Sequence, residues 1–180
     1  MEGSGFVVGK NFVATNAQVV AGINQPFVQD ANGSHHGTVV WFDPDLDLAI
    51  LRVSDLAGSP LQINTATAPS GTAAAALGYP GGGGFTAGPA AVLDEFQASG
   101  RNIYGQKQTL RSVYEVRADI IPGNSGGPLI NQSGQVIGVV FAESTSYAHT
   151  GYALTMAAVQ RAIHQAVAAN QATGTGRCAD

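Results

Sequence analysis

The sequence predicts an all-β protein built as two antiparallel units and closed by a C-terminal helix. Three observations predict it. Short runs rich in Val, Ile, Phe and Tyr recur between turn signals, a Pro/Ser/Thr/Ala stretch divides them, and helical spacing occurs only near the end. The 180 residues suffice for one large domain or two small packed barrels, and 44% hydrophobic content supplies a core.

The turn signals are Gly9-Lys10-Asn11, Asn32-Gly33, Asp43-Pro44, Pro80-Gly81, Gly100-Arg101 and Ser133-Gly134. Between them strands are expected near 5–8, 12–15, 27–30, 37–42, 48–53, 73–79, 90–96, 112–120, 128–131, 136–143 and 151–154. Residues 56–71 have the composition of a connector, which gives a first β-barrel at 1–64, a connector at 65–72 and a second β-barrel at 73–155. Met156, Val159, Ile163 and Val167 follow helical spacing, so a helix is expected over 156–170, stopped at Asn170 and Gly174 and followed by a tail at 171–180.

Only 11% of residues are charged and the net charge is -4. No basic surface is available for nucleic acid or an anionic membrane, and the composition suits an extracytoplasmic β protein. Apolar runs such as Ile137 to Ala142 fall far short of the roughly 20 residues of a spanning helix. Met1-Glu2 leads straight into Gly3-Ser4-Gly5 without the basic and apolar segments of a signal peptide, so the chain reads as a piece of a longer protein. Cys178 is the only cysteine, and no disulfide can close within the chain. No His/Cys/Asp/Glu cluster has metal-ligand spacing, so neither a metal nor a cofactor is expected.

Gly123-Asn124-Ser125-Gly126-Gly127-Pro128-Leu129 carries the chemistry. A serine nucleophile needs a tight turn in which glycines let backbone N–H groups reach the oxygen that becomes negative during acyl transfer. Ser125 would be that nucleophile. Gly123, Asn124 and Ser125 would form the oxyanion segment, with the N–H groups of Gly123 and Ser125 as donors. A glycine-rich turn between strands would explain the glycines alone, but the flanks also fit: Thr15-Asn16-Ala17-Gln18-Val19-Val20 upstream and Asp45-Leu46-Asp47-Leu48-Ala49-Ile50-Leu51 between.

In that order the three segments resemble a bacterial trypsin-fold serine protease, which carries Thr-Asn-x-His-Val-Val, Asp-Leu-Ala-Ile-Leu and Gly-x-Ser-Gly-Gly-Pro. Gly3-Ser4-Gly5-Phe6, Leu77-Gly78-Tyr79-Pro80-Gly81-Gly82-Gly83, Gly134 to Phe141 and Thr150 to Leu154 extend the likeness over nearly the whole chain. It is most similar to the actinobacterial membrane-anchored acid-resistance periplasmic serine proteases (MarP-like), with the HtrA group more distant. The resemblance implies two six-stranded chymotrypsin-like barrels, the first lacking its initial strand. It also implies a polypeptide substrate, a periplasmic or cell-envelope location with a membrane-anchored parent, and Cys178 as the tail half of a disulfide whose partner lies outside the chain. No PDZ domain fits after residue 169, and a monomer is expected.

Triad logic gives Ser125 the attack and Asp47 the task of orienting an imidazole. The imidazole position holds Gln18, whose amide can hydrogen-bond Ser125 and Asp47 but accepts no proton near neutral pH. Peptidase turnover should therefore be nearly absent. Either Gln18 was introduced to silence the base, which the intact Gly-Asn-Ser-Gly-Gly-Pro loop favours, or the chain is a natural peptide-binding pseudoprotease. A purely structural β domain is a third reading. His35 and His36 read as a solvated hairpin tip, His149 as pocket-rim, and His164 as structural or exposed on the helix.

For specificity, Asp119 lies six residues before Ser125, where an acid would pair with a basic P1 side chain; pairing with Arg117 or facing solvent is the plainer alternative. Phe141, Ala142 and Glu143 would be the edge along which substrate adds as a strand, Glu143 reading a basic side chain. Gly151 and Tyr152 would line the specificity pocket. Gly81-Gly82-Gly83-Gly84 lacks the residues of a phosphate loop and reads as a flexible entry loop.

Overall fold

Short β-branched and aromatic runs bury one face only when they pair, and here each run pairs with a neighbour across a turn. The structure, a computed structural model, describes residues 2–179. β1 (Phe6–Gly9), β2 (Phe12–Thr15), β3 (Phe27–Asp30), β4 (Gly33–Asp43) and β5 (Leu48–Val53) form an antiparallel sheet in the order β1-β2-β5-β4-β3. β6 (Ala73–Gly78), β7 (Thr86–Arg101), β8 (Gln108–Arg117), β9 (Pro128–Asn131), β10 (Val136–Glu143) and β11 (Thr150–Thr155) close into a barrel, β10-β11-β8-β7-β6-β9. The fold is the all-β, chymotrypsin-like one expected. The second unit is a six-stranded barrel, whereas the first is a five-stranded sheet with two edges. At the β1 edge Val7 O accepts the Leu61 N–H at 3.0 Å, and the β3 edge leaves Phe27 67% exposed.

α1 (Ala17–Val20) is a single turn, too short to leave a periodic signal in the sequence. α2 (Met156–Ala169) forms where the spacing places it. The Thr155 hydroxyl accepts from the Ala158 N–H at its start, and Asn170 ends it at φ 47°, a left-handed conformation that Asn tolerates. His164 is exposed on this helix. Among the described residues no helix is long and apolar enough to cross a membrane.

α2 fixes the seam between the units. Its buried face (Met156, Val159, Ile163, Ala166) packs in one cluster with Phe6, Phe12, Leu48 and Ile50 of the sheet and Val113, Val139 and Leu154 of the barrel. Each such large side chain contributes about 1.5–3 kcal/mol by burial, enough to hold the two units in one arrangement. The connector adds backbone bonds across the seam, Val136 N–H to Gln62 O at 2.8 Å and Asn64 N–H to Val136 O at 2.9 Å.

One expected turn lies elsewhere. Gly100 and Arg101 pair with Thr109 and Gln108, so β7 and β8 run on as an arm whose turn is at 102–107. The arm is held over the sheet because Ile103 N–H reaches Pro44 O at 3.2 Å and Lys107 pairs with Asp45. His35 and His36 follow the hairpin tip at 31–32 as paired residues of β4, opposite Val28 and Phe27, with His36 exposed and His35 half-buried. His35 Nε2 is 3.0 Å from Asp30 Oδ1, and the His36 ring meets the Phe27 ring at a 41° tilt with centroids 4.4 Å apart.

Candidate functional site

The loop between β8 and β9 is pressed into surrounding backbone, which explains its glycines. A Cβ on Gly123 (φ 99°) would lie 2.4 Å from Tyr79 O, and one on Gly126 (φ 87°) 2.2 Å from Ser4 O. Both conformations and both approaches exclude a side chain. Within the loop, Asn124 N–H bonds Ile121 O at 3.1 Å, Gly126 N–H bonds Val140 O at 2.8 Å and Gly127 N–H bonds Asn124 O at 3.0 Å. Among the described residues the N–H groups of Gly123 and Ser125 are committed to no acceptor, and they flank a half-buried serine. Asn124, between them, offers no open backbone donor. Its N–H is already engaged, and its buried side chain turns toward Gly78 with Oδ1 unpartnered.

Gln18 is the second residue of α1, and Asp47 lies in the turn before β5 at φ 61°, 3% exposed. The Asn16 side chain draws the two segments together by donating from Nδ2 to Asp47 O at 2.8 Å. Asp47 Oδ1 accepts the Gln18 backbone N–H at 2.9 Å, and Oδ2 accepts Gln18 Nε2 at 3.0 Å. Gln18 Nε2 also donates to Phe141 O at 3.0 Å. Its two hydrogens are thereby engaged, and among the described residues no hydrogen bond joins Gln18 to Ser125. Burial raises the Asp47 carboxyl to about 6 from the ordinary 3.8, against the opposing pull of the Gln18 backbone N–H and the Arg111 charge. Arg111 reaches in from the barrel arm, with Nε on Asp45 O at 2.8 Å and its guanidinium 5.7 Å from the Phe141 ring centre.

Ser4, which sequence reasoning missed as a site residue, stitches the two segments together. Its N–H bonds Ser125 O at 2.8 Å, its hydroxyl donates to Gly123 O at 2.6 Å and accepts from Tyr79 N–H at 3.0 Å, and its carbonyl accepts the Thr15 hydroxyl at 2.7 Å. The signal was one polar side chain bracketed by Gly3 and Gly5, a mark of close backbone approach. The expected flexible loop after Tyr79 begins instead as a 3-10 turn at Pro80–Gly82, whose Gly81 N–H holds Pro122 O at 2.8 Å.

Phe141, Ala142 and Glu143 end β10, where Ala142 pairs with Tyr152 and Glu143 with Gly151. Glu143 is exposed, and the Tyr152 ring meets Phe96 edge-on at 6.4 Å. Asp119 is not at a buried floor: its side chain is 76% exposed and meets His149 Nδ1, itself on the exposed rim. The chain turns Ile120 inward instead. Ile120 is 3% exposed and packs where a Cβ on Gly151 would stand, 2.4 Å from Ile120 Cγ1. Among the described residues no group of three His, Cys, Asp or Glu is disposed to hold a metal.

Comparison with known proteins places this geometry. Residues 3–139 match the family described as trypsin-like peptidase domain. The chain is 44% identical over 179 residues to serine protease Rv3671c of Mycobacterium tuberculosis, covering 99% of this chain and 45% of that protein. It thus spans under half the length of these curated relatives. The crystal structure of the active form of that protease superposes with a TM-score of 0.95, covering 99% of this chain and 78% of the other. A probable periplasmic DegP-like endoprotease of Chlamydia pneumoniae is 31% identical, covering 96% of this chain and 36% of that protein. The HtrA-type protease AlgW with a bound decapeptide is 27% identical with a TM-score of 0.78, covering 92% and 51%.

Proposed function

The chain belongs to the trypsin-like peptidase family, and on that premise we propose that it is a serine endopeptidase domain in which Ser125 is the acylated residue, Asp47 the orienting carboxylate and Gln18 the occupant of the base position. In this chemistry the serine Oγ bonds to the substrate carbonyl carbon while its proton passes to the base and then to the leaving amine as the C–N bond breaks. The uncommitted N–H groups of Gly123 and Ser125 are the donors for the oxygen that becomes negative. Gln18 fills the hydrogen-bonding slot of an Asp-oriented base without a group that titrates, so the proton has no acceptor and turnover is nearly silent.

The carrying observation is the Gln18 amide bridging Asp47 Oδ2 and Phe141 O beside an otherwise complete serine loop. Substrate is a polypeptide that adds as a strand to Phe141–Glu143, with Glu143 free to meet a basic side chain. Buried Ile120 packs against Gly151 while Asp119 is exposed, which favours an aliphatic over a basic P1 residue. One named relative is a probable periplasmic endoprotease, which together with the low charge content supports an extracytoplasmic location. A membrane-anchored parent and a monomeric domain complete the proposal. A peptide-binding module is the second reading, favoured by the closed hydrogen-bond set of Gln18.

Reaction with a fluorophosphonate probe, read by intact mass, separates them. Gln18→His should gain one label, lost again on adding Ser125→Ala, while the parent chain labels negligibly. Two folded, unlabelled proteins would favour the binding module.

A further inference from the structure

Gly123 carries one of the two uncommitted N–H groups, yet as a glycine at φ 99° it cannot fix the planes of its own flanking peptides. Those planes are held from outside. On one side Pro122 O accepts the Gly81 N–H at 2.8 Å; on the other Gly123 O accepts the Ser4 hydroxyl at 2.6 Å. The same hydroxyl accepts the Tyr79 N–H at 3.0 Å, which anchors the turn that supplies Gly81, and the Ser4 N–H holds Ser125 O at 2.8 Å. Ser4 is 5% exposed, so water cannot readily replace these bonds, and the side chain lies 119 residues from its acceptor.

We propose that Ser4 is a positioning residue for the oxyanion loop, its hydroxyl bridging Tyr79 N–H and Gly123 C=O so that the Gly123 N–H stays directed at the reacting oxygen. This rests on the endopeptidase reading of Ser125. Ser4 touches neither substrate nor the reacting atoms; it acts through the two peptides of Gly123. A hydroxyl suits the task because it donates and accepts at once, whereas Ala removes both bonds and leaves a buried carbonyl and a part-buried N–H without their partner.

The test uses Gln18→His as background. Adding Ser4→Ala should slow phosphonylation of Ser125 by the fluorophosphonate, in which the Oγ–P bond forms as fluoride leaves, about tenfold to hundredfold, and lower kcat for a peptide substrate with KM little changed. Ser4→Cys, of similar shape with a weaker donor and acceptor, should fall between and serves if Ser4→Ala does not fold. Phosphonylation rate and kcat equal to the background, in whichever variant folds, would overturn the proposal. If Gln18→His alone does not react, the endopeptidase reading fails, and amide hydrogen exchange then decides the role of Ser4. Faster exchange confined to Tyr79, Gly81 and the 123–127 loop supports it, and unchanged exchange there refutes it.

Discussion

The loop around Ser125 and the turn around Gln18 face each other across the seam between closed barrel and open sheet, and they use their hydrogen bonds in opposite ways. On the barrel side the loop amides are engaged except those of Gly123 and Ser125, which among the described residues stay open next to a hydroxyl. On the sheet side both hydrogens of the Gln18 amide are taken, and the carboxylate they meet is almost fully buried. The barrel side is poised for an incoming oxygen, and the sheet side is closed on itself. Readiness for acyl transfer in one half of the site does not require it in the other.

That contrast breaks most visibly at position 18. If the proposed endopeptidase reading holds, restoring an imidazole there should raise the rate of Ser125 acylation on the order of 10⁴ to 10⁶-fold, by supplying a proton acceptor. Next in size is the packing that brings the halves together. Gly126→Ala would drive a Cβ into Ser4 O and the Thr15 hydroxyl at a left-handed φ, so urea unfolding should show a loss of about 3 kcal/mol or more.

Asp47 gives a smaller effect with a defined pH dependence. Its folded-state value of about 6 lies above the ordinary 3.8, so the folded protein holds this proton more tightly than the unfolded chain. The stabilisation is complete below about pH 4 and is lost as the pH rises through 6; at neutral pH the buried charge costs about 3 kcal/mol. Asp47→Asn keeps an acceptor for the Gln18 N–H without the charge. It should gain roughly 1–3 kcal/mol at pH 8 and nothing near pH 4, measured by denaturant titration. Smallest is the long-range link from the barrel arm: removing the Arg111 charge as Arg111→Met should move the Asp47-linked stability transition upward by roughly half a pH unit.

The strand pattern was legible because β runs of four to eight residues alternate or bury locally, and the boundaries of β2, β3, β5, β9, β10 and α2 fall where the sequence places them. The arm did not read correctly. Gly100-Arg101 looks like a turn in isolation, and only contacts with the sheet at Pro44 and Asp45 extend β7 and β8 past it. Asp119 misled for a related reason. Sequence spacing sets a position along the strand but not which way a residue at its end turns, and here the buried place goes to Ile120.

By itself the sequence determined the fold class, the serine loop and the residue types at positions 18, 47 and 125, because glycines at strained turns, runs of β-branched residues and the chemistry of a side chain are local properties. Only the tertiary structure decided which loop amides remain open, that Gln18 bridges Asp47 to Phe141, and that Ser4 holds a peptide 119 residues away. Those are hydrogen bonds between distant segments, and their partners are settled by how sheet, barrel and α2 pack together rather than by spacing along the chain.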